Sequence, residues 1–188
     1  MWNWLKNLFD YFHDERDQKN FMQYCRTLNK FYQEKDNTLI ANFSINGYYY
    51  IFEKLVGLAE YEVTICCNGY DSLFNTGLLN LMNGKLYQGV RVTLINCSDD
   101  DFEKEKFIKC FEKENFKFYQ VKNTENVNNF IVADCNKYWL EDTCTNRKTL
   151  TLPIKACACF YDYHKSGKLL DYADKLIVMS KEQTKERL

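Results

Sequence analysis

Two runs, YEVTICC at 61–67 and RVTLIN at 91–96, constrain the fold more than any other feature of this chain. Both are short and rich in β-branched and apolar residues, so each reads as a strand. Strands that alternate with helical segments imply a sheet whose connections cross its faces as helices. The flanking segments have the matching period. In GYYYIFEKLVGLA at 47–59, Tyr48, Phe52, Leu55 and Leu58-Ala59 fall on one helical side, Asn68-Gly69 marks a turn after the first run, and a further helix is expected near 73–85. This β-α-β opening predicts an α/β domain, a mixed β-sheet flanked by helices on both faces.

The remaining segments extend the pattern. A strand is expected in TLIANFSI from Thr38, and Ser98-Asp99-Asp100-Asp101 caps a charged helix, DFEKEKFIKCFEKEN. A strand follows at 116–121. FIVAD and KYWLE then flank a turn at Cys135-Asn136 and read as a hairpin. IKACACFY is a last strand, leading into a helix from about 165 whose apolar side carries Leu169-Leu170, Ala173 and Leu176-Ile177. Ahead of all this lie two amphipathic segments, one through Leu5, Leu8, Phe9 and Phe12 and one at 18–34 through Phe21, Cys25, Leu28 and Phe31-Tyr32. Residues 1–37 are therefore read as an N-terminal helical extension and 38–188 as the α/β domain. The extension either packs on the core or docks a partner. An interfacial membrane helix ranks lower, because Asp10, Asp14 and Glu15 share the polar side with Lys6 and Arg16.

Composition sets limits on chemistry and partners. A formal charge of -1 lacks the basic excess that drives sequence-independent binding to phosphate backbones, although a local basic patch is compatible with it. The start MWNWLKNLFDYFHD lacks the basic-then-apolar layout of a signal peptide, and no apolar run approaches the ~20 residues that span a bilayer, so a cytoplasmic protein with reduced thiols is expected. The 9 cysteines are odd in number and contain no C-x-x-C; Cys66-Cys67 and Cys157-x-Cys159 sit in strand-like runs, which suits buried thiols rather than a metal site. No metal and no cofactor are expected. Abundant Asn, Lys, Tyr and Phe suit an AT-rich bacterial or phage gene.

The order of segments also resembles a known family. VTICCNGYDS, a helix and then YQGVRVTLIN is similar to the opening of the phospholipase D family, with Gly89-Val90-Arg91-Val92 as the closest local match. That family carries H-x-K-x4-D on a strand entering a hairpin, followed by an apolar strand and a closing helix. The corresponding window here runs from Val127 to Asp134. Val127 stands at the histidine position, Asn129 at the lysine position and Asp134 at the aspartate position, while Glu141-Asp142 replace the Gly-Ser that often follows. The resemblance covers about 60–180. It implies a phospholipase D-like fold with a degenerate motif, whose cleft would be lined by Asn128, Asn129, Asp134, Asn68 and Asp71.

In the family the histidine attacks phosphorus, a second motif's histidine protonates the leaving group, and the lysines hold the phosphate. Valine does none of this. Asn129 would donate hydrogen bonds to a phosphate oxygen without charge, a weaker contact than lysine makes. The plain reading of Asn128 and Asn129 is two solvated residues at a strand start, and that of Asp134 is a turn carboxylate. His164, Ser166 and Asp171 reproduce the motif spacing in a segment of helical period, and His13 has no evident partner.

No catalytic residue is assigned. The leading expectation is a non-catalytic, pseudoenzyme-like module that binds a protein partner, or a phosphate or nucleic-acid ligand in the old cleft, in a defence or mobile-element setting. The alternative is a phosphodiesterase or nuclease with a rearranged site using His164 or the Cys66-Cys67 loop. Single-motif members of the family pair two domains around the cleft, so a homodimer is the third expectation.

Overall fold

The computed structural model describes residues 15–42, 45–67, 76–97, 113–122, 124, 127–141 and 156–185. The expected helices through Leu5–Phe12 and at 101–115 lie outside the described residues, almost wholly in the second case, as do Asn68 and Asp71.

In chain order the elements are α1 (Glu15–Gln33), β1 (Ile40–Asn42), α2 (Ile45–Gly57), β2 (Glu62–Cys67), α3 (Thr76–Tyr87), β3 (Arg91–Asn96), β4 (Phe116–Gln120), β5 (Phe130–Ala133), β6 (Lys137–Glu141), β7 (Ala156–Cys159) and α4 (Tyr163–Lys185). The seven strands form one sheet in the order β1-β7-β6-β5-β2-β3-β4. β2 pairs parallel with β3, and β3 with β4; every other pair is antiparallel. The two apolar runs that anchored the sequence reading are thus adjacent parallel strands, and the sheet is mixed as expected.

Period 2 along the strands divides the core into two layers. On one face Val63, Ile65, Val92, Leu94, Ile131 and Trp139 pack with Tyr48, Phe52 and Leu55 of α2 and with Leu78, Met82 and Leu86 of α3. On the other, Cys66, Ile95, Phe130, Val132 and Tyr138 pack with Leu169, Ala173 and Leu176 of α4. β5 is buried at all four positions, as befits a central strand with helices on both sides. From α1, Phe21, Cys25 and Leu28 join the α2 layer at i, i+4 and i+7.

Helix ends are set by local chemistry. α1 stops in a Schellman arrangement: the Asp36 N–H donates to Phe31 O at 2.9 Å and the Lys35 N–H to Tyr32 O at 3.3 Å, with Lys35 at φ 53°. α3 stops in the same way, with the Val90 N–H on Lys85 O and Gly89 at φ 87°, where a side chain would be strained. That is the physical role of the glycine in Gly89-Val90-Arg91-Val92: it turns the chain from α3 into β3.

Among the described residues no helix is long and apolar enough to cross a membrane. Of the seven described cysteines, Cys25, Cys66, Cys67, Cys97 and Cys159 are buried, and only Cys135 is exposed.

Candidate functional site

The β5–β6 hairpin carries the motif window from Phe130 to Asp134, with Val127, Asn128 and Asn129 leading into it, and its antiparallel register fixes where the two ends lie. Val63 faces Ala133 and Cys66 faces Phe130 across β2 and β5. Asp134 is therefore level with the start of β2, and Asn129 with its end. Five residues separate them, roughly 17 Å along an extended chain. The structure does not bring Asn129 and Asp134 into one site.

At the turn, Asp134 and Cys135 both have positive φ, 49° and 58°, the pattern of a type I′ hairpin turn. Asx side chains tolerate this conformation best, which suits aspartate in the first position. The Asp134 carboxylate accepts hydrogen bonds from three successive N–H groups leading into β2: Tyr61 at 2.9 Å, Glu60 at 3.0 Å and Glu62, the first residue of the strand, at 3.2 Å. The Lys137 ammonium completes the ring at 3.0 Å, and both side chains of that pair are 8% exposed. Burial on its own would raise the Asp134 carboxyl; the N–H groups of Tyr61 and Glu60, then Lys137 and Glu62, outweigh it and hold the group below the ordinary aspartate value. Every acceptor lobe of this carboxylate is engaged inside the fold, so Asp134 staples the hairpin to β2. It does not line a cleft, as had been expected.

The opposite end is built differently. Val127 was expected to open onto a cleft, yet it is 2% exposed and sits in the apolar layer under α4 with Cys66, Ile95, Cys97 and Val121. Asn128 and Asn129 are half-buried rather than solvated. Asn129 faces Glu141 across the hairpin: its side-chain amide donates to Glu141 Oε2 at 2.6 Å, and the Glu141 N–H donates to Asn129 O at 2.9 Å. Glu141 is 3% exposed. Beside it, the Tyr48 ring packs on Trp139 at 4.9 Å between centroids. The Tyr48 hydroxyl is pushed well above its ordinary value by burial first, and then by Cys67, Tyr49 and Glu141.

Glu141 is the residue that sequence reasoning undervalued. It was noted only as a replacement for a small residue, although its place opposite Asn129 follows from hairpin counting.

The residues of a rearranged enzyme fare no better as a constellation. His164 is exposed in the first turn of α4, Ser166 is buried and Asp171 exposed, all on one helix rather than on a strand. Next to that helix start, Asn136 of the hairpin turn donates to the Tyr163 hydroxyl at 3.3 Å, which places His164 at the Asp134 end of the sheet. Cys66 lies 3.8 Å from Cys97, sulfur to sulfur, inside the core. Its thiol is pushed up by that contact and by burial, and burial does the same to Cys67, which disfavours the nucleophilic thiolate in both. Among the described residues no group of three or more His, Cys, Asp and Glu is placed to hold a metal ion.

Neither the family models nor the curated proteins give a match to the sequence. Solved structures do. Nuc from Salmonella typhimurium, a phospholipase D family member, superposes with a TM-score of 0.59 over 74% of this chain and 93% of its own, at 7% identity. NucT from Helicobacter pylori does so with a TM-score of 0.59 over 76% and 95%, at 12% identity. TrmBL2, an archaeal chromatin protein with a novel mode of DNA binding, matches at 0.55 over 92% of this chain and 64% of its own, at 9% identity. A match over 92% of the chain has to include part of the stretch before residue 38. The fold is phospholipase D-like.

Proposed function

We propose that this chain is a non-catalytic phospholipase D-like module that works by binding. One observation carries the reading: where the fold would hold a histidine and a lysine against a phosphate, this chain has a buried valine and an asparagine bonded to a buried carboxylate. A nucleophile is missing from Val127 and a cation from Asn129. Glu141 puts a carboxyl group against Asn129 and brings no cation, whereas phosphoryl transfer needs a preorganised positive field. The retained Asp134 supports the same reading, since its bonds are those of a structural group.

The test is hydrolysis of a small phosphodiester and of single-stranded DNA by the wild-type protein and by the double variant Val127→His, Asn129→Lys. The expected result is no turnover above background in either, because the carboxylate of Glu141 stays in place and a preorganised pocket has to be held to about 0.5 Å. Turnover by wild type ends the proposal. Turnover by the double variant alone leaves a module disarmed at two positions.

Nucleic acid is the second reading for the ligand, favoured by the match to TrmBL2 over most of the chain. With a formal charge of -1, binding should be weak at physiological salt and steeply salt-dependent. Fluorescence anisotropy with labelled duplex at two salt concentrations separates this from protein binding. For a protein partner, a second copy included, the proposed docking element is the N-terminal extension of residues 1–37, whose α1 is seated on the 38–188 domain through Phe21, Cys25 and Leu28.

A further inference from the structure

The α4 helix lies obliquely across its face of the sheet. It touches β5 and β6 and ends near β4, where the Ser180 hydroxyl donates to Gln120 O at 2.7 Å. No described element covers the corner of that face formed by the amino ends of β2, β3 and β4, and a groove of about 430 Å³ lies there. Its floor is not apolar. In one row Thr64, Thr93 and Lys117 stand side by side across the three strands; in the row behind, Glu62 faces Arg91. Asn115 closes the end, its amide fixed on Leu86 O at 2.9 Å and Val90 O at 2.8 Å.

The unused hydrogen-bonding capacity of this groove is mainly donor. Both oxygens of Glu62 are engaged: Oε2 accepts from the Arg91 guanidinium at 2.8 Å and Oε1 from the Cys135 thiol at 3.0 Å. That contact uses one of the five guanidinium N–H groups of Arg91, whose side chain is otherwise 69% exposed. Among the described residues Lys117 forms no ion pair, and the Thr64 and Thr93 hydroxyls form no hydrogen bond. A fork of guanidinium donors, an ammonium and two hydroxyls on three adjacent rigid strands match the acceptor geometry of an oxyanion. Glu114 is the one carboxylate at the rim with no ion pair among the described residues.

We propose that this groove is a binding site for an oxyanion, the phosphate or carboxylate group of a ligand, held by Arg91, Thr93 and Lys117. It lies on the α4 face at the amino ends of the strands, away from the Asn129–Glu141 corner, and is independent of whether that corner has any activity. The site is preorganised because each residue comes from a strand and not from a loop.

The experiment is an NMR titration of the isotope-labelled protein with inorganic phosphate and, separately, with acetate. Saturable shifts are expected at the backbone amides of Thr93 and Lys117 and at the Arg91 side chain, with a Kd on the order of 1 mM. Arg91→Gln and Lys117→Gln should each weaken binding about tenfold, the effect of losing one charge-assisted contact. Saturation by phosphate but not acetate identifies a phosphate-bearing ligand, and saturation by both a site that also takes carboxylates; either supports the site. Shifts that never saturate, that arise instead at Asn129 and Glu141, or that persist unchanged in both variants overturn it. Arg91→Lys keeps the fold and the charge but loses the fork, so an intermediate loss there separates binding from damage to the sheet.

Discussion

The two ends of the β5–β6 hairpin were built by one short stretch of sequence and have opposite characters. At the turn, a carboxylate collects three backbone N–H groups at the entry to β2 and the ammonium of Lys137. At the open end, a carboxylate meets an amide, and Val127 beside them is packed in the core. The comparison separates two parts that the family motif joins. Asp134 belongs to the architecture, because its partners are three backbone N–H groups and Lys137 of the same hairpin. On the proposed reading histidine and lysine belong to the chemistry, and Val127 and the Asn129–Glu141 pair stand where they would act.

The largest effect should come from breaking the turn end. Asp134→Ala removes one partner of a buried ion pair, strands Lys137 at 6% exposure and frees three N–H groups at once. Breaking a buried pair from one side costs about 3–5 kcal/mol. Urea unfolding of the variant should show a loss of that size with an unchanged slope. A loss under about 1 kcal/mol would mean that the staple is ornamental and the contrast between the ends false.

The same group sets a pH dependence. Its folded value lies below the ordinary one, so its stabilisation is fully present above about pH 4, the unfolded aspartate value, and is lost as pH falls through the lower folded value. Stability measured against pH should therefore fall more steeply in that acid window for wild type than for Asp134→Asn. Equal slopes would assign the acid sensitivity to other carboxylates.

Asn129→Ala probes the open end and should cost less, about 2 kcal/mol, the worth of a hydrogen bond to a charged group. If it costs as much as Asp134→Ala, the two ends are equivalent in architecture and the distinction drawn here collapses.

How far the sequence revealed this follows from what kind of signal each residue gives. Strands β2 and β3 were legible because short β-branched runs alternate with segments of helical period. The turn was legible to within a residue, since it was expected at Cys135-Asn136 between FIVAD and KYWLE and the two positive-φ residues are Asp134 and Cys135. The division of the motif was less so. Asp134 was read as a turn carboxylate and also placed in the cleft, since a sequence spacing does not say that an aspartate five residues along a strand lies at its other end. Val127 was expected at an opening because it occupies the position of a catalytic residue, yet valine goes where apolar residues go. Lys137 gave no signal, as a buried lysine is rare unless paired and its partner lies three residues back across a turn. The Arg91–Thr93–Lys117 row was equally hidden, because it exists only once β4 is laid in register beside β3.

The smallest effect in stability terms, and the sharpest probe of how the turn is wired, concerns Cys135. This exposed thiol donates to Glu62, and that bond, with burial and the charges of Glu62 and Asp134, pushes its pKa up to about 11, while Arg91 pulls it down. Glu62→Gln removes the acceptor charge and leaves Arg91 free to favour the thiolate. With the pKa restored to about 8.5, the thiolate fraction at pH 8 rises by about two orders of magnitude, and the lower nucleophilicity of a less basic thiolate returns part of that gain. Alkylation of Cys135, followed by peptide mass spectrometry, should be about tenfold faster in Glu62→Gln than in wild type. Stability should change by no more than about 0.5 kcal/mol, because Arg91, the partner left behind, is 69% exposed and its charge is taken up by water. A large loss of stability would make Glu62 a second staple alongside Asp134. An unchanged rate would mean that the thiol and carboxylate are not bonded in solution, and that the turn is held by Asp134 alone.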